Sequence, residues 1–186
     1  DGLHAEATYL VSPLKNVMLW HLELRSDYDR NVTIYPYVEL GMMEFMRELQ
    51  WQCYNKHQLS VYEKDGVLIY RYGVENQPKP DETPLVYFAS DAPAAGFDCD
   101  RDAFIGSYRS EEAPVGLEHE HLKNSTLFGG DPCFALELPL TLRAGETKSL
   151  NIYLGTEMTE SEISKSHAAC KVPDFFTASM QKLAET

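Results

Sequence analysis

Basic residues are in short supply in this chain. Sixteen Lys and Arg face 29 Asp and Glu, leaving a formal net charge of -13. Nucleic acid and anionic membranes are bound through clustered cations, so neither is an expected partner. The acidity itself reads as a solubility device. Long apolar runs are missing too: none approaches the ~18 residues a membrane span needs, and nothing reads as a signal peptide. The four cysteines, Cys53, Cys99, Cys133 and Cys170, show no Cys-x-x-Cys spacing. That excludes zinc ribbons and dense disulfide scaffolds, and it fits reduced thiols in a cytoplasmic protein. Repeats and low-complexity tracts are absent, and helical patterning is scarce. The chain opens on Asp1-Gly2 rather than on Met, which points to a fragment or an excised domain.

What is present is period-two alternation. Met18, Trp20, Leu22 and Leu24 point one way while His21, Glu23 and Arg25 point the other. Val32, Ile34 and Val38 make a further strand, with Pro36 marking an edge or a bulge. Asp65-Gly66 between two alternating runs predicts a hairpin, and the proline-rich stretch from Asn76 to Pro84 predicts a loop. Phe134, Leu136, Leu138, Leu140 and Leu142 form the cleanest half-buried strand, turned back by Arg143 to Glu146 into Leu150, Ile152 and Leu154. Two antiparallel sheets packed face to face satisfy this pattern, so the fold class is an all-β antiparallel sandwich of a size that one core can serve. Helix is predicted after the capping box Thr159 to Glu162 and after Asp174, with Phe176, Met180 and Leu183 on one face. Met42 to Leu49 also has helical spacing.

The order of punctuation from Phe104 to Gly155 is distinctive: Phe-Ile-Gly-Ser-Tyr-Arg-Ser, Ala-Pro-Val, then Leu-Phe-Gly-Gly-Asp-Pro-Cys-Phe-Ala-Leu and the Arg-Ala-Gly-Glu turn. With Val17-Met18-Leu19-Trp20 and Tyr35-Pro36-Tyr37-Val38-Glu39 upstream, it resembles the amino-terminal β-sandwich domain of the cellobiose and cellodextrin phosphorylase family, glycoside hydrolase family 94. The resemblance implies a super-sandwich at 1–156 and a helical linker at 157–186 leading to the protein's own catalytic (α/α) barrel. It further implies an inverting phosphorolysis of cellobiose or cellodextrin-like β-glucosides to glucose 1-phosphate. Inorganic phosphate is then a co-substrate, no cofactor or metal is required, and the catalytic residues lie outside this segment. Phe175 and Phe176 either pack on such a missing part or fold back onto the sandwich.

The residues themselves offer no catalytic pair. Asp131-Pro132-Cys133 after Gly129-Gly130 reads as a turn held by Asp131. Arg109 is expected to pair with Glu111 or Glu112. His119-Glu120-His121 has a spacing that can bind a metal, but no third ligand is indicated, and a solvated polar edge is favoured. Cys53 and His57 lack an orienting third residue. The segment Glu44 to His57 is richer, because Arg47, Gln50, Trp51, Gln52, Tyr54, Asn55 and Lys56 combine flat aromatic faces with amide and cationic donors for sugar hydroxyls. In the resembled family this segment crosses a homodimer and shapes the acceptor side of the partner's site. Here Trp51-Gln52-Cys53-Tyr54-Asn55-Lys56 departs from the family's Asn-aromatic-Gln-Arg-Asn-like run. The expected partners are therefore an oligosaccharide, the barrel and a second subunit. The alternatives are a stand-alone carbohydrate-binding module and an interaction domain that binds no sugar.

Overall fold

The computed structural model describes residues 2–41, 56–73 and 83–185. Eleven strands carry the fold among them: β1 (Leu3–Val11), β2 (Val17–Ser26), β3 (Arg30–Ile34), β4 (Tyr37–Glu39), β5 (Leu59–Lys64), β6 (Val67–Tyr72), β7 (Leu85–Ser90), β8 (Gly96–Asp100), β9 (Leu127–Phe128), β10 (Pro132–Leu142) and β11 (Thr147–Glu157). Three short α-helices join them, α1 (Arg101–Phe104), α2 (Glu160–Cys170) and α3 (Phe175–Ala184). The helical spacing of Met42 to Leu49 and most of the proline-rich stretch fall outside the described residues.

Seven strands form one antiparallel sheet in the order β1-β2-β11-β7-β6-β5-β9. The smaller sheet is built on β10, which pairs β3, β4 and β8. The two sheets pack face to face, as the alternation predicts. Leu24, Val61, Leu68, Tyr70, Phe88, Phe134, Leu136, Leu138, Leu142, Leu150 and Ile152 fill the space between them. Phe88 of the large sheet stacks on Phe134 of the small one, with ring centroids 5.7 Å apart and an interplanar angle of 1°. Trp20 meets Phe88 edge-on at 5.6 Å. Asp65 and Gly66 take φ of 53° and 80° at the β5–β6 turn, the left-handed pair that a two-residue hairpin needs.

The large sheet is covered on its second face as well. Val17, Leu19, Val67, Ile69, Leu85, Tyr87 and Tyr153 meet Ile163, Cys170 and Phe175 of α2 and α3. The polar face of β2 is exposed at Glu23 and Arg25, but Val17, Leu19 and His21 on the same face are covered. His21 lies under Phe176 in a stack of 3.8 Å, and its Nδ1 is 2.8 Å from Asn151 Oδ1. A sheet buried on both faces explains why all six residues of β7 are buried. Phe175 is thus folded back on the sheet, and a buried bond between the Ser12 and Ser179 hydroxyls (2.8 Å) pins the same helix.

Other details differ from the sequence pattern. The run through Pro36 is broken into β3 and β4. Pro36 has no N–H for the ladder, but its carbonyl accepts from Leu136 N–H at 3.2 Å. The leucine strand β10 is buried on both faces as far as Glu137, not on one. Thr159 caps α2 as expected, with Oγ1 accepting from Glu162 N–H at 3.2 Å. Asp174 makes no side-chain cap, because its backbone (φ -88°, ψ 5°) lacks the extended conformation a cap residue adopts. Packed on the sheet, α3 buries Phe175 and Ser179, while Met180 and Leu183 stay exposed.

One close approach fixes a glycine. Gly155 sits opposite Tyr87 on the neighbouring strand, and a Cβ there would lie 2.5 Å from the Tyr87 ring. Both residues are buried, so the ring has no free direction to retreat. Gly155→Ala is expected to destabilise by about 1–3 kcal/mol. A urea titration checks this: an unchanged midpoint would mean the ring finds room.

Candidate functional site

The segment 42–55 holds Arg47, Gln50, Trp51, Gln52, Tyr54 and Asn55, as well as Cys53, and lies outside the described residues. The structure does show what brackets it. On the entry side, Leu40 N–H donates to the Pro132 carbonyl (3.3 Å). On the exit side, Gly130 N–H donates to the Lys56 carbonyl (2.8 Å), and the Lys56 ammonium pairs with the Asp131 carboxylate. Gly129 and Gly130 have φ of 76° and 127°, and a Cβ on Gly129 would lie 3.0 Å from the Lys56 carbonyl oxygen. The Gly-Gly-Asp-Pro turn therefore ties both ends of the segment to the start of β10. Asp131 is an architectural residue here, and of the seven candidate sugar-binding residues Lys56 belongs to this bracket.

Neighbouring charges extend the bracket. The Asp131 carbonyl accepts from Arg101 N–H (3.0 Å), and Arg101 Nε donates to Glu39 Oε1 (2.7 Å). Tyr37 OH donates to the same oxygen (2.7 Å), holding the Glu39 carboxyl below the usual carboxylate range, with Arg101 adding to the effect. Tyr37 stacks on Phe104 at 5.1 Å, so β4 and α1 support this end together. Beside the turn, Phe128 is 89% exposed, a large aromatic at the sheet edge. Sequence reasoning placed it in a motif but assigned it no surface role.

The remaining motifs resolve into structure. Arg109 pairs with Glu118, not with Glu111 or Glu112. Positive φ at Gly106 (95°) and Tyr108 (61°) reverses the chain there and carries Arg109 towards the 3-10 turn Val115–Glu118. His121 Nδ1 lies 2.8 Å from Oε1 of buried Glu137, whose Oε2 accepts from Leu122 N–H (2.9 Å). Gly96 makes the room, since a Cβ there would lie 2.7 Å from that carboxylate. Buried Asp98 likewise accepts from Ser125 N–H at 3.0 Å. Two carboxylates thus stitch 121–125 onto the small sheet, and no group of three metal-binding side chains occurs among the described residues. Burial pushes the Cys99 and Cys170 thiols up to about 12, so both are protonated and unreactive. No helix among the described residues is long and apolar enough to cross a membrane.

Two histidines give opposite pH signatures. The hydrogen bond to Glu137 raises the His121 pKa above 6.5. Its stabilising contribution is full below 6.5 and disappears as pH rises through the folded-state value. Burial, reinforced by Lys171, lowers the His167 pKa. That contribution is present above 6.5 and is lost as pH falls through the folded-state value. His121→Gln should therefore lower Tm at mildly acidic pH and leave it unchanged at alkaline pH. A deficit of equal size at both ends of a pH series of melting curves would contradict this.

A family model described as "Glycosyl hydrolase 94, supersandwich domain" matches residues 1–172. The chain belongs to this family. It is similar to two N,N'-diacetylchitobiose phosphorylases. One, from Vibrio furnissii, is 27% identical over 162 residues, covering 83% of this chain and 19% of that protein. The other, from Vibrio proteolyticus, is 25% identical over 174 residues, covering 90% and 21%. A solved structure from the human microbiome, described provisionally as a kojibiose phosphorylase, aligns over 98% of the chain at 9% identity with a TM-score of 0.49. The glycosyl hydrolase 94 supersandwich seen here spans about a fifth of the length of the curated relatives it matches.

Proposed function

We propose that this supersandwich is a non-catalytic part of a larger inverting phosphorylase that cleaves a β-linked disaccharide or short oligosaccharide with inorganic phosphate. The family match over 1–172 carries this reading. The chain's own tasks are scaffolding the catalytic barrel through the 157–186 helices, subunit contact in a homodimer, and completing the acceptor site with 44–57. The bracket at Gly129 to Pro132 supports the last task, because it anchors both flanks of that segment to the core strand β10. A cytoplasmic location belongs to the same reading, supported by three buried, unpaired cysteines.

On substrate, cellobiose or a cellodextrin yielding glucose 1-phosphate is the first reading, drawn from the sequence motifs. N,N'-diacetylchitobiose yielding N-acetylglucosamine 1-phosphate is the second, and the names of both curated relatives favour it. The deciding experiment incubates the full-length protein and phosphate with each disaccharide and measures sugar 1-phosphate release. Release from neither would overturn both substrate readings, and the better substrate decides between the two.

The acceptor assignment has its own test. Trp51→Ala, Tyr54→Ala and Asn55→Ala in the full-length enzyme are each expected to weaken acceptor use about tenfold in the synthetic direction, the loss of one ring face or one hydrogen bond. Use of the sugar 1-phosphate donor and the melting temperature should change little. Wild-type acceptor kinetics in all three would reduce the segment to a surface loop.

A further inference from the structure

Where the β5–β6 turn, the β7–β8 connection and the C-terminal end of α2 meet, the structure leaves an open cavity of about 530 Å³. That lies within the ~300–1,000 Å³ range of small-molecule sites. Phe97 supplies an aromatic wall continuous with the main core, and Glu63, Asp65, Asn124, His167 and Lys171 supply the polar lining.

Each of these polar side chains keeps hydrogen-bonding capacity that the fold does not use among the described residues. Glu63 Oε1 accepts from Gly66 N–H (2.7 Å), leaving its other oxygen open. Asn124 Oδ1 accepts from Phe97 N–H (3.0 Å), leaving the amide NH₂. His167 Nδ1 is 2.5 Å from the Tyr153 hydroxyl, whose ionisation burial opposes. That contact occupies Nδ1 and leaves Nε2 of the ring open, a donor or an acceptor according to the tautomer. Asp65 and Lys171 complete the set as an acceptor and a donor.

The mixture of charges selects the ligand. Two carboxylates disfavour an anion such as a sugar phosphate, and the Lys171 ammonium disfavours a cation. Convergent acceptors and donors around an aromatic wall match a neutral ring with several hydroxyls. We propose that this cavity is a carbohydrate-binding site for a neutral hexose unit of an oligosaccharide. None of the residues bracketing 42–55 lines it. The inference rests on the reading that the parent protein handles oligosaccharides.

The test uses the full-length protein with cellobiose and N,N'-diacetylchitobiose that carry a photoreactive diazirine at the reducing end. After irradiation and digestion, mass spectrometry should find crosslinks in peptides containing 90–97 or 163–171. Excess unlabelled disaccharide should suppress them. Asp65→Asn with Lys171→Ala should reduce them about fivefold or more, the loss of two polar contacts, without changing the circular dichroism spectrum. Lys171→Ala alone, at an exposed position, should give a smaller drop and serves if the double variant fails to fold. Absence of crosslinks at these peptides, insensitivity to competitor, or equal labelling in the variants would overturn the site. Sugar 1-phosphate release measured on the same preparation separates the two readings: labelled cavity peptides without phosphorolysis overturn these two disaccharides as substrates and leave the site standing.

Discussion

A protein consisting of residues 1–186 alone is expected to release no sugar 1-phosphate from cellobiose or N,N'-diacetylchitobiose. An inverting phosphorolysis needs one acid placed against the glycosidic oxygen in a closed pocket, with phosphate held opposite. The carboxylates that the described residues bury, Asp98 and Glu137, have other duties. Asp98 accepts from the backbone N–H groups of Lys123 and Ser125, and Glu137 is shared between Leu122 N–H and His121. The Asp131 carboxylate is paired with Lys56. None is left facing a closed pocket with its oxygens free. The check is a coupled phosphorylase assay on purified 1–186, whose strand-dominated circular dichroism first confirms folding. Turnover above background would mean that the sandwich carries chemistry of its own.

The largest loss of stability is expected from Phe88→Ala. The ring is fully buried, stacks on Phe134 across the two sheets and takes the edge of Trp20. Truncation removes a face from each partner and leaves a void between strands that are hydrogen-bonded on both sides, so collapse is limited. The cost is about 3–5 kcal/mol. For a domain of this size that corresponds to roughly 6–20 °C in Tm. Chemical denaturation should show a lower midpoint with an unchanged slope. A shift below about 1 kcal/mol would mean that the two sheets close the gap by moving together.

Much of the fold was legible because it depends on local alternation. β2, the β5–β6 hairpin and the strands β10 and β11, which the turn at Arg143 to Glu146 sends into different sheets, announce themselves by period two and by turn residues at the required positions. β1 does not: Ala5, Ala7 and the polar residues between them give little contrast, and the strand stays largely exposed. β8 hides for another reason. Gly96-Phe97-Asp98-Cys99-Asp100 reads as a polar loop, yet Asp98 is buried because its acceptors meet backbone donors about 27 residues later. Glu137 looked like the outward residue of a leucine strand, and its burial depends on space at Gly96 and donors at 121 and 122. Partners so distant leave no periodic trace. The second covered face of the large sheet was hidden likewise, since only contact reveals that Phe176 lies on His21. At the candidate site the Asp131 turn was readable from its glycines, whereas its grip on Lys56 and on the flanks of 42–55 was not.

The strand order has a consequence for synthesis. β2 lies between β1 and β11, so the β1–β2 hairpin gains its other neighbour only when the strand at Thr147–Glu157 arrives. Roughly 120 residues separate the two, and at typical translation rates of about 5–20 residues per second the wait lasts on the order of ten seconds. Throughout it, the Trp20 and Leu22 side of the hairpin faces water with an open edge, the condition in which strands join wrong partners. A nascent chain arrested before β11 should therefore be held by chaperones or be sensitive to protease, and one extended past α2 should be released and resistant.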